Sequence, residues 1–290
     1  MPSVTVDSPA KLNLSLRVLR KRPDGYHGIA TLFHRISLRD SLKLEKAGEG
    51  IRLFCSDSKI PQKKNIVVHA FELLKKERPF SGGVKVRLIK RIPVGGGLGG
   101  GSSNAASFLL GMDRLYKLGL SRKRLMKLGR KLGADVPFFL SGASHALGKG
   151  RGDEIQPIPF HRRLGFILLP DPTGLSTRTV YEALRFGSKR VSLTAVTHGA
   201  KLASAFLEKG KLAQAAPLLV NDLAGSAQRL KPSLKNRRRI ASELQLGACQ
   251  MSGSGPTLFV LFTSPTQAAR VFRKFRNHSF FRGAILCHSF

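Results

Sequence analysis

Residues 93–106 read Pro93-Val-Gly-Gly-Gly-Leu-Gly-Gly-Gly-Ser-Ser-Asn-Ala-Ala106, six glycines in seven positions that end at two serines. Such a run keeps the backbone free of Cβ atoms, so successive N–H groups can crowd around an anion. The flanking residues decide what kind of loop it is. Before it, Val84, Val86 and Leu88 alternate as in a strand; after it, residues 105–118 are apolar round most of a helical circumference, the mark of a buried helix. A helix starting near Ser102 or Ser103 aims its free N–H groups and the positive end of its dipole at the loop. Close packing explains one or two bare positions; six of them ahead of Ser-Ser read better as a phosphate-binding loop.

Three known phosphate loops share this physics, and each requires something the chain lacks. Gly95, Gly97 and Gly100 match G-x-G-x-x-G, but a Rossmann unit also places an acid about 20 residues on, at the end of a second strand. The next acid here, Asp113, lies inside a helical pattern. A P-loop needs Gly-Lys-Ser/Thr, and Gly101 is followed directly by Ser102. A protein-kinase loop comes with H-R-D and D-F-G, and neither occurs.

Outward from the glycines, residues 4–6 and 12–18 alternate with period 2, and a turn around Pro23-Asp24-Gly25 follows. Further strands fit 30–38, 42–44 and 51–54, and a helix fits 65–78. Ser121 can cap a helix carrying Leu125, Leu128 and Leu132 on one face, ended by Gly133. The second half opens with a strand at 164–169 and continues with helical patterns near 177–186, 192–208, 211–220 and 233–245. It closes with strand 257–262, helix 266–276 and strand 284–288. Pro157 and Pro159 mark a lobe boundary, which gives domains 1–158 and 159–290.

Together with Ser8-Pro-Ala-Lys-Leu-Asn-Leu14 and Ser252-Gly-Ser-Gly-Pro-Thr257, the glycine stretch resembles the three ordered motifs of the GHMP kinases, the superfamily of galactokinase, homoserine kinase and mevalonate kinase. Pro23-Asp-Gly-Tyr-His27, Gly133-Ala-Asp-Val-Pro137 and Gly148-Lys-Gly-Arg-Gly152 extend the resemblance to one branch of that family. Its substrate is a cytidine diphosphate derivative of methylerythritol in the non-mevalonate isoprenoid precursor pathway. The motifs run from residue 8 to residue 257, nearly the whole chain. The resemblance implies an α+β, two-lobed fold, with an N-terminal ribosomal-S5-like α/β lobe, a C-terminal ferredoxin-like lobe and the active site between them. It also implies a left-handed crossover in the first lobe, which the usual handedness rule would have excluded. The activity implied is that of a transferase moving a phosphoryl group from ATP, with Mg2+, to the 2-hydroxyl of that small molecule. A monomer and a homodimer both fit.

Site roles follow from the resemblance, residue by residue. Asp135 matches the catalytic aspartate that accepts the hydroxyl proton, and Lys11 matches the active-site lysine whose charge would keep that carboxylate ionised. Asn13, two residues along the same strand face, would hydrogen-bond the substrate's polyol or its neighbours. Tyr26 and His27 match the base-recognising turn, and Tyr181 a second aromatic on the other face of the base. Stacking does not discriminate between bases, so His27 and the backbone near Arg151 would do so, with Thr177 also contacting substrate. Pro93, Gly95, Gly96, Gly97, Leu98, Gly99, Gly100, Gly101, Ser102 and Ser103 would hold ATP, with Gly253, Ser254 and Gly255 keeping the third motif close. Read without the resemblance, Asp135 is a helix cap, Lys11 one exposed lysine of many, and Tyr181 a core aromatic. No acidic residue besides Asp135 stands in a motif, so the sequence assigns no metal ligand.

The chain has 290 residues and a formal net charge of +33, which suggests an anionic partner. The excess is spread over both halves, whereas a dedicated nucleic-acid binder concentrates it in an arm or stripe. The reading is a set of solvated basic faces that bind nucleic acid only nonspecifically, with a nucleic-acid-binding protein as the competing class. No run approaches the roughly 18 apolar residues of a membrane span, and the first residues lack a signal-peptide pattern, so a cytoplasmic protein is expected. Cys55, Cys249 and Cys287 lie far apart without C-x-x-C spacing and read as free thiols.

Overall fold

The computed structural model describes residues 2–185 and 192–290. It forms two compact units interleaved along the chain. The first comprises the chain up to Ala10, Leu38–Pro93 and Gly99–Ala143; the second comprises Lys11–Ser37, Val94–Leu98 and the described residues of Ser144–Phe290. The interleaving follows from two long strands, β1 (Ser3–Lys21) and β2 (His27–Ala47), that each run through both units. The sequence pattern splits each into two pieces because Ser8 and Pro9 interrupt the apolar alternation of one and Arg39 and Asp40 that of the other. The backbone continues through both interruptions. The boundary expected at 158/159 falls within the second unit, between β6 (Glu154–Pro157) and β7 (Gly165–Leu169).

In the first unit, Ser41–Ala47 of β2 pairs antiparallel with β4 (Gly83–Ile89), and β4 pairs parallel with β3 (Ile51–Cys55). A parallel pair needs a crossover, and α1 (Ile66–Glu77) supplies it. Asn65 caps that helix by accepting the Val67 N–H at 3.0 Å. α2 (Gly100–Tyr116) buries ten residues, among them Ala105, Phe108, Leu109 and Met112, as its all-round apolar pattern requires. α3 (Arg122–Leu132) is capped by Ser121, which accepts the Arg124 N–H, and a five-residue α4 (Val136–Leu140) follows.

In the second unit, Thr31–His34 of β2 pairs antiparallel with β5 (His145–Lys149), and β5 with β6. A separate antiparallel sheet has the order β10-β7-β9-β8, with β8 at Ala248–Met251, β9 at Leu258–Phe262 and β10 at Ile285–His288. The unit also holds α5 (Thr177–Glu182), α6 (Leu193–Glu208), α7 (Leu212–Ala215), α8 (Ala224–Leu230), α9 (Pro232–Glu243) and α10 (Pro265–Phe275). Leu16 and Val18 of β1 join Ile167, Val180, Val260 and Phe281 in one apolar core.

Several elements differ from their expected form. The helical pattern at 211–220 gives only the four-residue α7 and a 3-10 turn, because Pro217 lacks the N–H that would continue the helix. α5 ends at Glu182, and position 186 of the pattern expected there lies outside the described residues. β5, β6, β8, α4 and α8 were not read from the sequence; each has seven residues or fewer, too short for periodicity to separate from a loop.

The core of the second unit holds a chain of polar side chains. His34 and His145 meet Nδ1 to Nδ1 at 2.9 Å, and their outer Nε2 atoms lie 2.9 Å from Ser289 Oγ and Ser204 Oγ. One ring must donate and the other accept, and two neutral imidazoles do this only as opposite tautomers. Burial drives the His34 pKa down to about 3, and burial followed by the neighbouring His34 drives that of His145 well below its usual value. A depressed histidine pKa means that the unfolded chain takes up more protons as pH falls below about 6.5. The stability that depends on neutral imidazoles is therefore present above that pH and lost below it. We expect the unfolding free energy to fall by about 1.4 kcal/mol per pH unit from His34 alone once pH is below about 6. Urea unfolding of wild type and His34→Gln between pH 7.5 and 5 checks this: the variant starts less stable and declines less steeply, and parallel declines would refute the assignment.

Candidate functional site

The glycine stretch enters its helix earlier than expected. Gly99 adopts the left-handed conformation, φ 68° and ψ 17°, and caps α2, so the helix starts at Gly100 rather than near Ser102. Ser103 N–H bonds back to Gly99 O at 2.9 Å. Of the first three helical N–H groups, those of Gly100 and Gly101 therefore belong to bare residues and the third to Ser102. Gly100 is explained by packing, since a Cβ there would lie 3.0 Å from Ile92 Cγ2. Gly101 is not: it is exposed, and a Cβ would meet nothing closer than Ile66 Cγ2 at 3.9 Å. Protein packing therefore does not explain that glycine, and its position leaves the backbone open to close approach from outside.

A buried carboxylate anchors this turn from behind. Asp40, fully buried, accepts the N–H groups of Arg91 and Ile92 at 2.7 and 2.9 Å, Asn104 Nδ2 at 2.9 Å, and the Lys90 ammonium. Asn104 Nδ2 also reaches Ser8 Oγ at 2.8 Å, and Ser8 donates to Ser103 Oγ at 2.9 Å. The start of the loop, the first turns of α2 and β1 are thus held by one polar network. Ser103 spends its hydroxyl there, whereas Ser102 is only half-buried. Asp40 was not singled out from sequence; the signal available was an acid between two apolar strand segments, which an exposed turn would also produce.

Asp135 lies just before α4 in the same unit, and its side chain makes no capping hydrogen bond, so capping does not explain it. Gly133, two residues earlier, comes close to the start of α2: a Cβ there would be 3.8 Å from Ser102 Oγ.

In the second unit, Lys11 departs from its plain reading as an exposed lysine. It is 3% exposed, because residues 8–16 of β1 are buried on both faces of the strand. Its ammonium donates to Asn13 Oδ1 and lies 5.6 Å from the Phe33 ring centroid. Asn13 in turn donates through Nδ2 to Thr31 Oγ1 at 2.7 Å, so its amide orients Lys11 within a buried polar chain. Residues 94–98 of the glycine stretch also belong to this unit and meet the third motif. Ser252 Oγ accepts the Asn13 N–H at 3.2 Å and lies 2.9 Å from Gly97 O, to which it donates; Leu98 O accepts the Lys11 N–H at 3.0 Å. A Cβ on Gly97 would lie 2.2 Å from Ser252 O, and one on Gly253 would lie 3.5 Å from Lys11 Nζ. Asn221 fixes the third motif from the other side by donating to Met251 O and Gly253 O at 2.7 and 2.8 Å. Thr177 Oγ1 and Ser254 Oγ are 2.9 Å apart. Lys11, Asn13, Gly97, Gly253, Ser254 and Thr177 therefore form one linked set.

The turn residues form a second set. Tyr26 is 58% exposed. His27 stacks on Tyr181 with centroids 5.5 Å apart and planes at 21°, and the Arg151 guanidinium lies 5.3 Å from the Tyr26 centroid. Tyr181 also packs against the core, as its plain reading has it. Partial burial, then the charge of Lys21, lowers the His27 pKa. At neutral pH the ring is uncharged and offers one donor and one acceptor. Among the described residues, no group of three or more His, Cys, Asp or Glu is placed to hold a metal ion.

Residues 65–143 match the GHMP kinases N terminal domain and residues 202–279 the GHMP kinases C terminal family model. The chain is similar to a 4-diphosphocytidyl-2-C-methyl-D-erythritol kinase of Syntrophus aciditrophicus, 39% identical over 265 residues and covering 90% of each chain. Among solved structures, it is similar to a 4-(cytidine 5'-diphospho)-2C-methyl-D-erythritol kinase, with a TM-score of 0.79, 34% identity and 98% of each chain covered. A mevalonate kinase of L. major in complex with R-mevalonate shares the fold at a TM-score of 0.73, with 18% identity, 99% of this chain and 97% of that one covered.

Two substitutions probe the scaffold of the site. Asp40→Asn leaves Lys90 buried without its counter-charge and is expected to cost about 3–5 kcal/mol in urea unfolding; a loss below about 1 kcal/mol would show that the network does not carry the loop. Gly97→Ala, strained at φ 76° and blocked by a backbone oxygen, is expected to abolish ATP turnover. Wild-type turnover by this variant would show that the loop does not need the close approach.

Proposed function

Because the chain belongs to the GHMP kinases, and among them to the 4-diphosphocytidyl-2-C-methyl-D-erythritol kinases, we propose that it transfers the γ-phosphoryl group of ATP to the 2-hydroxyl of 4-diphosphocytidyl-2-C-methyl-D-erythritol. The observation that carries the reading is the bare, exposed helix start at Gly101, a glycine that packing leaves unexplained. N–H groups at such a helix start suit a polyphosphate. The Tyr26, His27 and Tyr181 rings suit a planar base, which mevalonate and homoserine do not carry.

In this reading the substrate oxygen bonds to the γ-phosphorus, the bond from that phosphorus to the β–γ bridging oxygen breaks, and ADP leaves. Asp135 takes the hydroxyl proton, and the Lys11 cation, held by Asn13, favours the ionised carboxylate and the developing alkoxide. The residues from Pro93 to Ser102 receive the nucleotide phosphates, with Ser103 bracing the helix start. Thr177 and the third motif, Gly253 to Gly255, border the Lys11 end of the site. The Ser102 hydroxyl, half-buried and outside the Ser8–Ser103 network, would be the protein oxygen to hold a magnesium ion brought in with the nucleotide. Such an ion would neutralise phosphate charge.

ADP release by purified protein, offered the cytidine compound, mevalonate and homoserine in parallel, tests the proposal. Turnover with the cytidine compound alone is expected; silence with it, from folded protein that binds ATP, would sink the substrate assignment. Asp135→Asn is expected to lower kcat at least about 100-fold, and a change within about threefold would remove Asp135 from proton transfer. Nanomolar, strongly salt-dependent nucleic-acid binding without turnover would favour the nucleic-acid-binding alternative instead.

A further inference from the structure

Arg151 and Asp153 stand on the turn between β5 and β6, and Asp153 has no part in the phosphoryl transfer above. Asp153 holds Arg151 twice: Oδ1 accepts the Arg151 N–H at 3.2 Å, and Oδ2 accepts from the guanidinium at 3.0 Å. The Asp153 side chain is 11% exposed against 28% for Arg151, so the carboxylate is the fixed member of the pair. The turn that brings them together needs Gly150 and Gly152 at positive φ, 67° and 99°.

The guanidinium so held lies over the Tyr26 ring. Tyr26's backbone is already set by its own turn, where its N–H donates to Asp24 Oδ1 at 3.2 Å and its carbonyl accepts from Arg22 N–H at 2.7 Å. The two turns are tied by Ile29 N–H to Gly150 O at 2.8 Å. None of these bonds fixes the ring, which is largely exposed. A ring free to rotate must be ordered at every binding event, and one already held does not incur that loss. A planar guanidinium can lie flat on a phenol face while a carboxylate grips its edge, which a lysine cannot reproduce.

We propose that Arg151, clamped by Asp153, fixes the Tyr26 ring for stacking on a pyrimidine base, and that Asp153 is a positioning residue acting through Arg151. The proposal rests on the cytidine-substrate reading above. With the Arg151 guanidinium 5.3 Å from the ring centroid and the ring 58% exposed, affinity for the base then depends on a residue pair outside the 22–27 turn.

Calorimetric titration with cytidine 5'-diphosphate and steady-state kinetics test it on wild type, Arg151→Ala, Arg151→Lys, Asp153→Asn, Tyr26→Leu and the Arg151→Ala/Tyr26→Leu double variant. Arg151→Ala is expected to weaken cytidine diphosphate binding and raise KM for the cytidine substrate by roughly 3- to 30-fold. KM for ATP stays within about twofold, and kcat changes much less than KM for the cytidine substrate. Arg151→Lys recovers part of the loss and Asp153→Asn causes part of it. In the Tyr26→Leu background, Arg151→Ala adds less than about twofold, as required of a residue that acts through the ring. The same factor in both backgrounds, or an equal rise in KM for ATP, would overturn the proposal. Wild type that binds no cytidine diphosphate and turns over no cytidine substrate would overturn the functional reading and this proposal together. Binding by wild type that Arg151→Ala leaves unchanged would overturn this proposal alone.

Discussion

At Gly97 two stretches of backbone occupy nearly the same place. The volume that any other residue would fill with its Cβ is taken by the carbonyl oxygen of Ser252, 2.2 Å away, and a main-chain oxygen cannot turn aside like a side chain. That approach lets Ser252 lend one hydroxyl to two tasks, accepting the Asn13 N–H and donating to Gly97 O. Asn13 then has both ends of its amide committed, to Lys11 and to Thr31. The polar interior of the second unit is assembled outward from one missing methyl group.

The same interior sets a cost against stability. An alternating strand normally turns its polar face to water, but residues 8–16 of β1 are buried on both faces, so Ser8, Lys11, Asn13 and Ser15 leave solvent with the leucines between them. Burying such groups is tolerable only when they are satisfied, and for Ser8, Lys11 and Asn13 the bonds with Ser103, Asn13 and Thr31 do this. Asp40 follows the same rule in the first unit, where one carboxylate serves two backbone N–H groups, an amide and an ammonium. Apolar residues of similar volume would leave no such groups to satisfy.

What could be read from the sequence follows from how local each signal is. The helix capped by Ser121, the buried helix after the glycines and the leading strand β4 were visible because capping and periodicity act within a few residues. The fold class came from three motifs in order rather than from any one of them. The burial of Lys11 was not legible, since alternation tells which residues share a face and not whether that face is covered. Asp40 escaped for a related reason: its partners, residues 90–92 and 104, lie 50 or more positions away. The start of α2 was misplaced because glycine is a poor helix former, and only the left-handed Gly99 shows that the turn begins there.

The serine that faces His34 is residue 289, a separation of 255 positions. Asn13 waits similarly for Ser252, 239 positions on, and Arg17 for Asp222, 205 positions on. A ribosome adding about 5–20 residues per second needs tens of seconds to cover such distances. During that interval β1 and the start of β2 exist with their inward-facing polar groups but without the residues that satisfy them. The second unit therefore cannot close progressively as it is made. Its interior becomes a favourable place for a neutral histidine or a lysine only once residues 252 and 289 have been made, so the partners that satisfy its earliest strands are among the latest to arrive.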